Sequence, residues 1–240
     1  MTNRVTKLLA ALVAGTVVIA PAFAEEVTGS AGADITSAYI FRGGTVNDDV
    51  NVQPYIEAAA YGVTVGTWAN LNTDASQMDE IDYYISYDLP LSEDAPVGIS
   101  VGYCEYTFPT GTEDADPVTG ATPALEADRE VSVTLSADAP LSPSLFVGYG
   151  FEGPFLDEGI YLELGLEHDL DVTEDLAVNL GAALGYEAGD NFDENGFSHL
   201  TLSLGSSRGP FSFSLNYVVE TDDDVLAVDE DFYFTIGASL

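Results

Sequence analysis

Residues 160–167 read Ile160-Tyr161-Leu162-Glu163-Leu164-Gly165-Leu166-Glu167, an aliphatic side chain at every second position with Tyr, Glu, Gly and Glu between. A helix would scatter the four aliphatic groups around its circumference; a strand places all four on one face. The same period of two recurs on both sides of this run. Upstream it sets Ile81, Tyr83, Ile85, Tyr87 and Leu89 against Glu80, Asp82, Tyr84, Ser86 and Asp88, and continues through 97–103, 131–135 and 145–151. Downstream it runs through 176–184, 200–204, 211–217 and 232–240, where Leu240 closes the series. Weaker runs lie near 31–42, 50–59 and 61–70. The chain reads as all-β, with about twelve strands by this count.

Composition bounds what such a chain can do. Its 240 residues carry 41 Asp plus Glu against 5 Lys plus Arg, a formal charge of −36, so a nucleic-acid binder is excluded. At 46% hydrophobic it is not a disordered acidic tail. One cysteine, Cys104, and two histidines, His168 and His199, exclude an intrachain disulfide and a structural zinc site, and no cofactor is implied. Arg4 and Lys7 precede the apolar run Leu8 to Ala20, then Pro21 and Ala22-Phe23-Ala24. This is the pattern of a secretory signal peptide over 1–24, cut after Ala24 with Ala22 as the second small residue. The run is too short for a membrane anchor. Residues 25–240 then form one domain, with Arg42, Arg129 and Arg208 and no lysine.

Alternation alone would also suit a soluble β-sandwich or jelly roll. Three features point instead to a transmembrane antiparallel up-and-down β-barrel. Short links at 60–61, 90–96, 138–143, 169–174 and 205–210 alternate with mostly longer, acidic ones near 43–49, 71–79, 109–129, 152–158, 187–196 and 220–230. If odd-numbered strands run outward, Tyr103, Tyr149, Tyr186 and Tyr217 fall at the outer ends of their strands on the apolar face, as an interfacial girdle. The opposite face is small and wet, rich in Gly, Ser, Thr and Asn, which suits a lumen better than a soluble sheet.

Particular motifs add to this reading. Asp34-Ile35-Thr36-Ser37-Ala38-Tyr39-Ile40-Phe41-Arg42-Gly43, Gly66-Thr67-Trp68-Ala69-Asn70 and Glu80-Ile81-Asp82-Tyr83-Tyr84 follow in order, with Gly102-Tyr103 and Phe108-Pro109 beyond. Over roughly 34–108 the sequence resembles the TorF-like porin family, also catalogued as Gcw_chp. The resemblance implies a barrel in the bacterial outer membrane and leaves the solute open.

Parity selects the candidate pore-lining residues. Arg42 is expected on the lumen side at the outer end of the first strand, with Glu80 and Asp82 facing inward near the outer end of the fourth. Arg42 either braces the wall through an ion pair or faces carboxylates across a constriction. Glu57, Glu163 and Glu167 are further inward carboxylates; an open lumen would then favour cations, and a plugged one would neutralise some of them. Trp68 faces inward beside Gly66, either filling space or offering a stacking surface. Calcium at Asp190-Asn191-Phe192-Asp193-Glu194-Asn195-Gly196 fails the EF-hand pattern, since Leu202 holds the place of the required Glu; Asp222, Asp223 and Asp224 allow only loose divalent bridging.

Catalysis is not expected. Ser198 and His199 are neighbours on a strand and so should face opposite ways, Ser203 is too far along, and carboxylate pairs such as Glu80 and Asp82 arise by chance in so acidic a chain. Cys104 reads as a small wall residue. The expectation is an outer-membrane, porin-like, non-enzymatic channel for passive diffusion of small hydrophilic solutes, with a cation preference and with outer-membrane lipid as its surround. Whether it forms a homo-oligomer is left open. The competing readings are a closed barrel with a structural or surface-interaction role and a secreted sandwich that binds glycans through its acidic loops.

Overall fold

The computed structural model describes residues 27–92, 94–111, 124–173, 176–189, 195–221 and 231–240. The signal peptide with Ala22 and Ala24, residues 190–194 of the calcium candidate, and Asp222, Asp223 and Asp224 lie outside them. The elements, all strands, are β1 (Thr28–Thr36), β2 (Tyr39–Phe41), β3 (Gly44–Asn47), β4 (Asn51–Ala60), β5 (Val63–Asn72), β6 (Gln77–Asp88) and β7 (Val97–Thr107). They continue as β8 (Asp128–Ala137), β9 (Ser144–Glu152), β10 (Gly159–Thr173), β11 (Leu176–Gly189), β12 (Gly196–Arg208), β13 (Phe211–Glu220) and β14 (Phe232–Ser239). Twelve of these close into an antiparallel barrel in which each strand pairs with its sequence neighbour. β1 completes the ring by pairing β14 from Gly32↔Ser239 to Thr36↔Thr235, and skips across β2 and β3 to pair β4. A sandwich or jelly roll is thereby excluded, because a closed ring has no sheet edge.

One end of the barrel carries tight turns and the start of β1, and the other carries the longer connections. At the turn end, β4 passes to β5 through Tyr61-Gly62, both at positive φ, the two-residue turn whose twist matches a hairpin. Gly209-Pro210 does the same service between β12 and β13.

The alternation read from the sequence sorts the wall into two faces. Ile85, Val101, Val133, Leu164, Leu202, Leu204, Phe213 and Ile236 point outward and stay exposed, while Ser86, Ser100, Glu130, Glu163, Ser214 and Asn216 point inward and are buried. The hydrophobic core of buried residues is correspondingly small, Ala38, Ile40 and Val218 with Tyr233 against them. A continuous apolar exterior around a polar interior is stable only where the exterior meets an apolar solvent. Near the loop end Tyr149 and Tyr217 stand exposed on the outer face, Tyr103 lies 6.5 Å from Phe151 and Tyr186 lies 5.3 Å from Phe197, ring centroid to ring centroid.

Two departures from the expected strand limits are the largest. β1 does not run to residue 42: it stops at Thr36, where the Ser37 amide donates to Phe234 O and the Phe234 amide donates to Ser37 Oγ, turning the chain inward. β10 does not turn at 169 but continues to Thr173, paired with β11 in register as far as Asp171↔Ala177 and, after a shift, at Thr173↔Leu176. The charged Glu167-His168-Asp169 looks like a turn by composition, yet Leu170 and Val172 keep the outward alternation beyond it.

Candidate functional site

The chain between β1 and β4 does not arch over the barrel mouth as a plain loop. β2 and β3 form a hairpin that is a separate two-stranded sheet, folded into the lumen at the loop end. Its ladder runs Tyr39↔Asn47, Ile40↔Thr45 and Phe41↔Gly44, which leaves Arg42-Gly43 as the two-residue tip. Both tip residues take positive φ, 51° and 84°. This turn usually holds Asn-Gly, and an arginine there bears a cost of about 1–2 kcal/mol.

What the tip touches offsets that cost. Arg42 Nη2 donates to Glu130 Oε2 at 2.5 Å, and both side chains are buried, 8% and 3% exposed. The guanidinium carbon lies 4.4 Å from the Tyr161 ring centroid, 4.8 Å from Phe41 and 5.8 Å from Phe146, so the cation is enclosed by one carboxylate and three ring faces. Burial works to lower its pKa, Glu130 works to raise it, and the net direction is up. Gly148 on β9 leaves room for the Glu130 carboxylate: a Cβ there would stand 2.7 Å from its Cδ. At Gly43 a Cβ would overlap the His199 ring.

The stem is fixed as firmly. The Tyr39 hydroxyl donates to Glu80 Oε2 at 2.8 Å, and its ring sits 5.6 Å from Trp68. Burial first, then the charges of Glu80 and Asp82, hold the Tyr39 hydroxyl well above the usual phenol range, so it remains a donor. Ile40 and Ala38 pack on Val218 of β13, and Phe41 lies 5.8 Å from Tyr106 of β7. At the exit of the hairpin, Asn51 Nδ2 donates to Asn47 Oδ1 and Asp49 O, both at 2.7 Å. Asn51 in turn accepts from Asn70, which accepts from Gln53; all three amides are fully buried.

The sequence candidates occupy two levels. At the level of the hairpin, Arg42 lies in the tip and not on the first strand, Glu80 and Trp68 hold the stem, and Asp82 faces the lumen with Oδ1 free of any protein hydrogen bond. Glu163 lies close by and accepts from Tyr161 at 2.6 Å. Nearer the turn end, Glu57 accepts from Ser30 at 2.9 Å and from Tyr84 at 3.2 Å, and half-buried Glu167 shares a Cα pairing with Gly181. A cavity of about 30 Å³, one water in size, lies in the lower wall between Asp34, Tyr55, Ser212, Ala238 and Ser239.

Sequence reasoning singled out neither Glu130, Arg42's partner, nor Tyr39, Phe146 and Tyr161. Glu130 was legible as an inward residue opposite Val131; only the inward fold of the hairpin distinguishes it from its neighbours. One geometrical expectation is overturned. Ser198 and His199 do not face opposite ways: Ser198 Oγ is 3.2 Å from His199 Nδ1 and both are buried. The pairing jumps from Gly185↔His199 to Tyr186↔Phe197, so Ser198 is the extra residue of a bulge, which breaks the alternation at that point. The pair is packed behind Gly43, with Tyr161 stacked on the imidazole at 6.3 Å.

Among solved structures, the barrel is similar to the COG4313 outer membrane channel from Pseudomonas putida F1, with a TM-score of 0.50, 12% identity, and coverage of 93% of this chain and 99% of that one. A looser likeness, TM-score 0.37 at 7% identity, is to OmpT, an outer membrane protein of Vibrio cholerae; it covers 89% of this chain and 96% of that one and carries no weight here. No curated protein matches the sequence. The model of the family described as "Bacterial protein of unknown function (Gcw_chp)" matches residues 21–238, and the chain belongs to that family.

Proposed function

We propose that this chain is a porin-like channel of the bacterial outer membrane, that small hydrophilic solutes diffuse passively through its lumen, and that it prefers cations. The observation that carries the reading is the charge of the wall. Glu57, Glu80, Asp82, Glu163 and Glu167 face the lumen, and the cation set against such groups, Arg42, is already taken by Glu130. The other two arginines of the mature chain do not offset them: Arg129 is bound at 2.9 Å to Glu105 and also to Glu152, and Arg208 ends β12 at the turn end. A water-filled passage lined this way concentrates cations and repels anions. The exposed aliphatic exterior supplies the lipid-facing surface.

No catalytic step belongs to this reading. Ser198, which lies against His199, is 0% exposed.

Two measurements test the proposal. Refolded residues 25–240 in planar bilayers should give current steps that reverse at a potential of cation sign under a salt gradient; an anion sign contradicts the preference. Leu202→Arg, at the middle of β12 on the outer face, should cost about 2–4 kcal/mol in urea unfolding from vesicles, the cost of a charge at the bilayer midplane. A change below about 0.5 kcal/mol would place that face in water.

A second reading, a barrel without conductance, is favoured by one observation: the hairpin fills the loop end of the lumen with the buried side chains of Ala38, Tyr39, Ile40 and Arg42. The two readings part on whether that hairpin ever leaves.

A further inference from the structure

We infer that the hairpin of β2 and β3 is a displaceable plug, that Arg42 on Glu130 is its latch, and that the barrel rests closed and conducts when the hairpin swings out of the lumen. The inference rests on the channel reading above and adds its regulation.

The hairpin is tied to the wall by side chains and not by the barrel ladder. Its backbone pairs with itself and is not part of the barrel ladder. Removing it therefore breaks no rung of the wall. The wall is already complete beneath it, since β1 and β4 pair from Thr28↔Ala59 up to Thr36↔Asn51, the two residues that flank the segment. What holds the hairpin is a short set of side-chain contacts, the strongest charge-assisted: Arg42 to Glu130 at 2.5 Å and Tyr39 to Glu80 at 2.8 Å.

The features at its two ends are those of a moving part. At its base, Thr36 Oγ1 donates to Ala38 O at 2.8 Å and Ser37 exchanges hydrogen bonds with Phe234, while Asn51 caps the return through Asn47 and Asp49. These contacts define two elbows at the rim and leave the residues between them to move as a body. At its tip, Arg42 and Gly43 take the positive φ that a two-residue hairpin turn requires, so the hairpin keeps its own shape whether or not it is seated.

The packing explains why a static structure is closed and why opening matters. Tyr39, Ile40, Phe41 and Arg42 meet β5, β6, β7, β8, β9, β10 and β13 from the inside, so the seated hairpin stands across the lumen between opposite walls. Lifting it uncovers Glu80, Glu130 and Glu163 together, a carboxylate ring at one level of the lumen. Closing and selecting are thus done by the same groups: carboxylates that bind the hairpin when it is in meet the solute when it is out.

Three variants test this in planar bilayers, each first shown to be folded by its heat-dependent gel migration. The first replaces residues 37–50 with Asn-Gly, joining the paired Thr36 and Asn51 by a two-residue turn. It should stay open, with larger steps than the natural chain. The second, Glu130→Gln, keeps the shape of the latch without its charge, and should raise the fraction of time open by about tenfold. The third is a lock, Gly43→Cys with His199→Cys in a Cys104→Ser background; a Cβ at Gly43 would stand 2.6 Å from that of His199, about 1 Å inside the usual disulfide span. Oxidised, it should be silent, and reduction should restore current, which also covers the case in which the deleted chain does not fold. If the natural chain and all three variants conduct alike, the plug is refuted and the channel stands. If folded natural and hairpin-less chains are both silent, the channel reading falls and the plug falls with it.

Discussion

Glu130→Ala is expected to lower the stability of the folded barrel by about 3–5 kcal/mol, the cost of leaving a buried charge without its partner. Arg42 is 8% exposed and its other near neighbours are rings, so water cannot take the place of the carboxylate while the hairpin is seated. The hairpin then either stays with an unpaired guanidinium or leaves, and urea unfolding from vesicles reads the loss in both cases. A double substitution separates charge from packing. Arg42→Met with Glu130→Ala removes both partners and keeps an apolar side chain between Phe41, Phe146 and Tyr161. It should recover most of the stability, because replacing a whole buried pair by apolar groups is often neutral or favourable. A double variant as unstable as Glu130→Ala alone would show that Arg42 contributes through its rings and backbone turn and not through Glu130.

The second large effect concerns selectivity. Glu57, Glu163 and Glu167 are inward carboxylates outside the latch pair; Glu57 accepts from Ser30 and Tyr84, and Glu163 accepts from Tyr161. Changing all three to Gln keeps size and hydrogen-bonding capacity and removes three negative charges from the passage. The reversal potential under a salt gradient should move most of the way toward zero, with step size little changed. Unchanged selectivity would assign the cation preference to the carboxylates at the level of the hairpin, Glu80, Asp82 and Glu130, or to the acidic loops at the mouth.

Much of this architecture was legible because a barrel wall obeys one rule, alternation, at nearly every residue. Leu162, Leu164 and Leu166 outward with Glu163 and Glu167 inward follow from parity alone, and so does the inward side of β6. The rule fails where the backbone leaves the ladder. Residues 37–42 keep enough apolar character to read as the end of a strand, yet an elbow at Ser37 and a tip at Arg42-Gly43 turn the chain into the lumen, and parity carries no information about that move. The bulge at Ser198 is a smaller case of the same failure: one unpaired residue puts two neighbours on one side. Glu130 shows the limit most sharply. Nothing in its own strand separates it from Glu163, and its role comes from a hairpin tip 88 residues earlier in the chain.

The most direct test of the central claim is the current through single molecules of refolded residues 25–240 under a tenfold potassium chloride gradient, measured beside the chain in which Asn-Gly replaces 37–50. The account predicts brief, infrequent steps from the natural chain, sustained steps from the shortened one, and a reversal potential of cation sign for both. Folded, inserted barrels that pass no current in either form, or that reverse at an anion sign, would contradict it.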